Sequence, residues 1–467
     1  MFFDEADKKK YCRRELQMKY DRREGGVSAD RRIVIYNVFM PENSYRITGL
    51  GGKKTLSGEI AVGGAKNAAL KVMAAAALFS DRIELKNVPE IEDVNRMAEL
   101  LEGVGMKIEK GKQGEKNART IMVLEKLNPD LPYGPAQAMR SSIVLTGPML
   151  ARMGRVSFPN PGGCSLGNRP IDLFLEGFRC FGATITTEGD NYVASAPHGL
   201  VGMEYFFKVQ SHTGTETLMM AATLARGTTV LKNCALEPEV KSLADFLNAC
   251  GADITGAGTS TIVIKGGKPL SGAQTPYITM PDRIETGSFM ILGALCAKKL
   301  VITGCVPEHV EVTTEILRSA GVTIETAQNS ITVFGAEKLS AVNVRTHEYP
   351  GLPTDLQAPM GVFLTQAEGE SALFETIYEG RLGYAKDLAA MGADITLQDS
   401  HRAIIKGPRA LKGSTVKAPD LRAGIAFVIA GLIASGETTI LNAYVIDRGY
   451  ERLAERLSAI GVDIKRG

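Results

Sequence analysis

A phrase that recurs six times limits what this chain can fold into. Each copy is a helix-like stretch, a glycine hinge and a short strand: LLEGVGMKI, EGFRCFGATI, FLNACGADI, ILRSAGVTI, DLAAMGADI and RLSAIGVDI. The hinge glycines are Gly105, Gly182, Gly251, Gly321, Gly392 and Gly461, separated by 77, 69, 70, 71 and 69 residues. Upstream of most hinges runs a second shared phrase, as in AAALFSDRIELKNV, AATLARGTTVLKNC and AGLIASGETTILNA. There helical apolar spacing gives way to strand alternation across Gly or Ser-Asp, as expected where a helix hands over to a strand. Each unit therefore predicts strand, helix, strand, helix, strand, strand. The period is too long for the common solenoid repeats, and 467 residues are too many for one ordinary core, so the units divide best into two domains of three.

The hinge glycines have a structural explanation, a helix cap in a left-handed backbone conformation. Function must then come from what the repeats do not share. Composition narrows the field first. The net charge of +2 is the remainder of 54 basic and 52 acidic side chains, so no global field draws the chain to nucleic acid or an anionic membrane. The apolar stretch Ala423 to Ser435 is too short to span a bilayer and reads as a buried helix. The opening MFFDEADKKK lacks the apolar core of a secretion signal, so a cytoplasmic location with reduced cysteines is expected. The seven cysteines and the scattered histidines His198, His212, His309, His347 and His401 match no metal-ligand spacing, and no metal or cofactor is expected. Residues 1–43, with the run KKKYCRRELQMKYDRREGG, read as an extension outside the repeats, with Met40 as a plausible initiator.

Four features break the repeat. The second unit carries an insertion from Phe158 to Leu173, FPNPGGCSLGNRPIDL, rich in glycine and proline and centred on Cys164. A thiol there, with Arg169 five residues on, is placed for a lowered pKa and for proton exchange with a substrate, a candidate general acid. The other six cysteines fall where packing or incidental exposure accounts for them. In GGAKNAAL, Lys66 and Asn67 open an alanine-rich helix after Gly63 and Gly64; amides at a helix start with a lysine suit phosphate, although a glycine turn with a solvated lysine is the simpler reading. Arg140, Arg381, Arg422 and Arg448 stand in apolar settings, where they either pair with carboxylates such as Asp420 or Asp447 or converge on a small dianion. Asp355 follows a proline turn in LPTDLQAP, where a helix cap is favoured over a catalytic base.

In the order GGAKNAAL, AMRSSI, PGGCSLGNRPIDL, PDRIETG, PTDLQA, DLRAG and IDRGYER, these segments together resemble the UDP-N-acetylglucosamine 1-carboxyvinyltransferases of the enolpyruvyl transferase family, from about Ser44 to the C-terminus. The resemblance implies an α/β (α+β) chain of two domains forming an inside-out α/β barrel. Its six βαβαββ repeats would lie three per domain about a pseudo-threefold axis. One domain would comprise residues 44–65 and 281–467 and the other residues 66–280, with substrates held between them. It further implies two small-molecule substrates, phosphoenolpyruvate and UDP-N-acetylglucosamine, and transfer of the enolpyruvyl group to the sugar's 3-hydroxyl in peptidoglycan precursor synthesis. By the same resemblance Lys66, Asn67, Arg169, Arg381, Arg422 and Arg448 look like phosphoenolpyruvate ligands. Cys164 looks like the acid and Asp355 the base. Arg140, Arg169, Pro170, Ile171, Asp172, Leu173, Lys208, Ser211, His212, Asp355 and Ile377 look like the UDP-sugar site. Cys164 is also the expected target of the epoxide fosfomycin. Val445 and Phe174 depart from the histidines common in relatives. Two alternatives remain: the transferase acting on shikimate 3-phosphate, against which Cys164 and its loop stand, and a silent homologue that binds UDP-sugar and regulates a partner.

Overall fold

The computed structural model describes residues 43–111, 117–124, 126–162, 170–272 and 274–467. Among them the repeat is realised as six separate open sheets. Five have four strands in one arrangement: an edge strand runs parallel to a central strand, which pairs antiparallel with a second central strand, and that pairs antiparallel with the other edge. The predicted strand, helix, strand, helix, strand, strand order holds along the chain in these five, except that the parallel edge strands of the first and fourth units, Tyr277–Ile278 and Leu56–Ala61, and the sixth unit's second central strand, Ser44–Thr48, come from elsewhere in the sequence. The barrel expected from the resemblance is not found, because no sheet closes on itself.

The second unit's sheet keeps only three strands, 155–159, 184–188 and 191–195. Where a fourth would run there is one parallel bridge, Asp130 to Ser157. Pro129 and Pro132 flank that bridge, and each lacks the N–H a ladder needs. The sixth sheet is completed from the other end of the chain. Its strand Ser44–Thr48 pairs with both Glu437–Leu441 and Ile464–Arg466. Asn43 N–H also donates to the Gly467 carbonyl at 3.0 Å, so Asn43 belongs to the fold rather than to the extension.

The two helices of a unit differ in what they bury. The first helices are α1 (Lys66–Ala75), α2 (Thr146–Met153), α3 (His212–Thr223), α4 (Arg283–Cys296), α5 (Gln357–Leu364) and α6 (Leu421–Ile433). Every residue of α4 and α5 is buried, and in α6 only Leu421 is not. Helices apolar on all sides are interior helices. The second helices, such as Glu92–Gly103 and Glu311–Ser319, bury one stripe and leave the rest to solvent. Among the described residues no helix is long and apolar enough to cross a membrane.

All six hinge glycines have positive φ, between 91° and 107°. At Gly182, Gly251, Gly321, Gly392 and Gly461 the glycine N–H bonds the carbonyl three residues back and the next N–H bonds the carbonyl five back. These are paired Schellman bonds, which satisfy the last carbonyls of the helix and turn the chain into the strand.

Buried apolar side chains form two clusters. One draws on residues 45–60 and 284–464, the other on residues 69–277. In the first, α4, α5 and α6 touch one another pairwise. Both clusters lie in the compact unit Pro41–Gly467.

Candidate active site

Two chain segments cross between the clusters side by side. Ala65 N–H donates to the Met280 carbonyl at 2.7 Å, Asp282 N–H donates to the Gly63 carbonyl at 3.0 Å, and Gly64 bridges Pro281 antiparallel. The crossing is tight enough that a Cβ on Gly64 would lie 1.8 Å from the Asn87 carbonyl oxygen. Asp282 joins the two helices that start here. Its Oδ1 caps α4, accepting from Ile284 N–H at 2.8 Å and Glu285 N–H at 3.0 Å, while its Oδ2 accepts from Lys66 N–H, the first amide of α1, at 3.2 Å. That amide therefore already has a carboxylate facing it, which narrows the anion site predicted at this helix start.

The Lys66 side chain is not solvated as the simpler reading held. Its Nζ lies 3.1 Å from Asp93 Oδ2, and Arg448 Nε donates to the other oxygen of Asp93 at 2.7 Å. Asp93 is 5% exposed and belongs to the other core's helix Glu92–Gly103. Burial would raise its carboxyl, but Lys66 and Arg448 together hold it below its ordinary value.

A second carboxylate gathers two more of the predicted arginines. Arg381 Nη2 donates to Asp355 Oδ1 at 2.9 Å, and Arg422 reaches Asp355 Oδ2 through Nε at 2.9 Å and Nη2 at 2.7 Å. Asp355 does not cap a helix, as was favoured from sequence; it lies in the turn Thr354–Leu356 between two guanidiniums. The suggested partners are used elsewhere: Asp420 caps α6 through Arg422 and Ala423 N–H, and Asp447 accepts from Tyr45 and Arg466. Burial would raise the Asp355 carboxyl, yet Arg422, Arg381 and Lys66 hold it far below the carboxylate range. Arg448 of the first group and Tyr450, whose hydroxyl Arg422 of the second group meets, lie two residues apart in the chain, so the two groups adjoin. Arg422 also donates to the Tyr450 hydroxyl at 3.4 Å, which pairs with Ser288 at 2.8 Å; burial pushes that phenol up to about 12.

Arg140 spans the two ends of the predicted loop, with Nη1 donating to the Pro161 carbonyl at 3.2 Å and Nη2 to the Pro170 carbonyl at 3.3 Å. Cys164 and Arg169 lie outside the described residues. The loop is narrower than the Phe158–Leu173 read from sequence, because the strand runs through Pro159 and a helix begins at Asp172. Pro170 and Asp172 are exposed, Ile171 is buried, and the Leu173 carbonyl accepts from Tyr205 at 3.3 Å. Lys208 pairs with Glu176 at 3.3 Å, and Ser211 caps α3 by accepting from Gly214 N–H at 3.0 Å. His212 and Lys71 flank the fully buried Glu216 at 3.3 and 2.9 Å, ion-pair distances whose angles fall outside hydrogen bonding. Burial would lower the His212 imidazole, but Glu216 raises it overall. Ile377 N–H is held by Glu375 at 2.8 Å, and Asn67 follows Lys66 on α1. The structure thus brings Lys66 and Arg448 together on Asp93 and Arg381 and Arg422 together on Asp355, while Lys208, Ser211 and His212 make their contacts with Glu176, Gly214 and Glu216.

Of the other cysteines, Cys180 is exposed, and burial pushes Cys234 and Cys296 up to about 12 and Cys250 and Cys305 up to about 11. These four thiols are inert packing groups, as expected.

The model of the EPSP synthase (3-phosphoshikimate 1-carboxyvinyltransferase) family matches residues 50–457. The chain belongs to the enolpyruvyl transferase family. Among curated enolpyruvyl transferases, the UDP-N-acetylglucosamine 1-carboxyvinyltransferase of Magnetococcus marinus is 45% identical over 418 residues, which is 89% of this chain and 98% of that protein. The protein of the same name from Desulforapulum autotrophicum is 42% identical over 419 residues, with the same coverage. The enolpyruvyl transferase NikO from Streptomyces tendae has a similar solved structure, with TM-score 0.79, 24% identity, and 91% of this chain and 99% of that chain covered. EPSP synthase from Acinetobacter baumannii aligns with TM-score 0.66 and 21% identity over 91% of this chain and 100% of its own. These last two show the fold.

Sequence reasoning missed three acids that these side chains meet: Asp93 on Lys66 and Arg448, Asp282 on the Lys66 amide, and Glu375 on Thr354 and Ile377. Asp93 left a trace, since it occupies the buried stripe of its helix with Val94, Met97, Leu100 and Leu101, where an acid is out of place.

Proposed function

We propose that this enzyme transfers the enolpyruvyl group of phosphoenolpyruvate to the 3-hydroxyl of UDP-N-acetylglucosamine, releasing phosphate, as the first committed step of peptidoglycan precursor synthesis. The observation that carries the reading is a pair of adjacent cation groups, each closed around one carboxylate: Lys66 and Arg448 on Asp93, Arg381 and Arg422 on Asp355. A small dianion with a phosphate at one end and a carboxylate at the other fits two such seats. The relatives' name supplies the acceptor.

In this reading Lys66, Asn67, Arg169 and Arg448 hold the phosphate and Arg381 and Arg422 the carboxylate. The Cys164 thiol gives its proton to the methylene carbon. The sugar hydroxyl oxygen attacks the resulting oxocarbenium-like centre and passes its proton to Asp355. The tetrahedral adduct then loses phosphate while the Cys164 thiolate takes back a methyl proton, restoring the double bond and the thiol. Fixed cations stabilise charge through both steps without moving. Without ligand, Asp355 is a poor base because two guanidiniums lower it. A substrate carboxylate taking up those guanidiniums restores its basicity, so donor binding arms the base. Arg140, Pro170, Ile171, Asp172, Leu173, Lys208, Ser211, His212 and Ile377 complete the UDP-sugar site.

Residues 44–65 with 281–467, and residues 66–280, are read as two domains of three units about pseudo-threefold axes, a division supported by the two apolar clusters and the paired crossing segments. Catalysis is placed in the cytoplasm. Turnover in deuterium oxide tests the addition step: a transient methyl group leaves deuterium in the product's vinyl carbon. A product free of deuterium would mean direct displacement and overturn the mechanism.

A further inference from the structure

We infer that Glu375 is a positioning residue for the donor carboxylate seat, acting on Arg381 through the hydroxyl of Thr354. Glu375 is wholly buried at the end of the strand Gly369–Phe374. A buried carboxylate is retained without loss of stability only where donors satisfy it, and three do. Thr354 Oγ1 donates to Oε2 at 2.8 Å, while Ile377 N–H and Tyr378 N–H donate to Oε1 at 2.8 and 3.0 Å.

The direction of the Thr354 bond is what matters. A hydroxyl has one proton and two lone pairs. With its proton committed to Glu375, Thr354 can only accept from the other side, and there Arg381 Nη1 donates to it at 2.9 Å. The second arm of the same guanidinium, Nη2, is thereby aimed at Asp355 Oδ1. The other oxygen of Glu375 shapes the turn that carries Tyr378, whose ring centroid lies 5.4 Å from the Arg381 guanidinium carbon. One carboxylate therefore sets both the hydrogen-bond polarity and the aromatic wall around Arg381. An amide at position 375 would donate where the carboxylate accepts, turning the Thr354 proton toward the guanidinium and setting two donors face to face.

The inference rests on the reading of Arg381 as a donor-carboxylate ligand, so the test uses Arg381→Ala as its benchmark. Steady-state kinetics of the full chain, varying phosphoenolpyruvate and UDP-N-acetylglucosamine separately, would compare Glu375→Gln, Thr354→Val and Thr354→Ser, with melting temperatures alongside. Thr354→Val is expected to raise the phosphoenolpyruvate KM about tenfold and leave the sugar KM within about twofold. Thr354→Ser, which keeps the hydroxyl, should stay within about twofold of the parent. Glu375→Gln should raise the phosphoenolpyruvate KM as Thr354→Val does, and the double variant should be no worse than Thr354→Val alone. Equal behaviour of Val and Ser at position 354, or a Glu375→Gln variant that loses melting temperature and kcat with an unchanged phosphoenolpyruvate KM, would overturn the relay while leaving the benchmark intact. An Arg381→Ala variant with an unchanged phosphoenolpyruvate KM would overturn the seat assignment itself, and this inference with it.

Discussion

Asp355 separates two guanidiniums that would otherwise face each other almost dry, since the Arg381 and Arg422 side chains are 3% and 6% exposed. Asp355→Asn removes the charge that compensates both. Breaking a buried pair by deleting one partner costs about 3–5 kcal/mol; because Asp355 is itself 27% exposed, a loss of about 2–4 kcal/mol in urea unfolding is expected. The same carboxyl sets a pH dependence together with Asp93. Both are lowered in the folded chain, so on acidification the unfolded chain takes up these protons first. Their contribution is complete above the ordinary carboxylate pKa of about 4 and is lost as pH falls below it toward the folded values. The acid limb of stability against pH should flatten in an Asp93→Asn, Asp355→Asn double variant; an unchanged limb would mean that neither pair contributes. The arginines were legible as odd residues in apolar surroundings, but their partners were not. Arg448 meets Asp93 across 355 residues of chain, and no local pattern carries that distance.

At the scale of elements, glycine serves two unlike purposes, and substitution separates them. Gly182 has φ +91° with nothing within 4 Å of the place a Cβ would take, so Gly182→Ala meets only backbone strain and should lose about 1–2 kcal/mol. Gly64 has an ordinary backbone but no room, and Gly64→Ala forces the crossing segment away from Asn87 at a cost of about 3 kcal/mol or more. Comparable unfolding midpoints for the two variants would contradict this distinction. The hinges and the order of elements could be read from sequence because the same left-handed glycine recurs between the second helix of each unit and the strand that follows it. The incomplete second sheet was less legible, since Pro129 and Pro132 act by removing donors and leave the hydrophobic pattern untouched. Pairing of Ser44–Thr48 with Glu437–Leu441 and Ile464–Arg466, near the other end of the chain, is also invisible to a local reading.

For the whole molecule, the two apolar clusters are joined by charges as well as by chain. Arg283 of α4 donates to Glu239 of the helix Pro238–Ala249 at 3.0 Å, with both side chains buried. Burial would raise Glu239, but Arg283 holds it down to about 2. Glu239→Gln leaves Arg283 without its counter-charge, and a loss of about 3–5 kcal/mol in global unfolding is expected; a melting temperature equal to the parent's would show the pair to be dispensable. Around this frame Lys66 and Asp93 come from one cluster's side of the chain and Arg448, Asp355, Arg381 and Arg422 from the other, so the site exists only where both are present. The most direct test of that site's proposed role is phosphate release from phosphoenolpyruvate, measured with UDP-N-acetylglucosamine, with shikimate 3-phosphate, and with a Cys164→Ala variant. The account predicts release with the UDP-sugar alone, reduced by the substitution. Release only with shikimate 3-phosphate, or with neither acceptor, would contradict it.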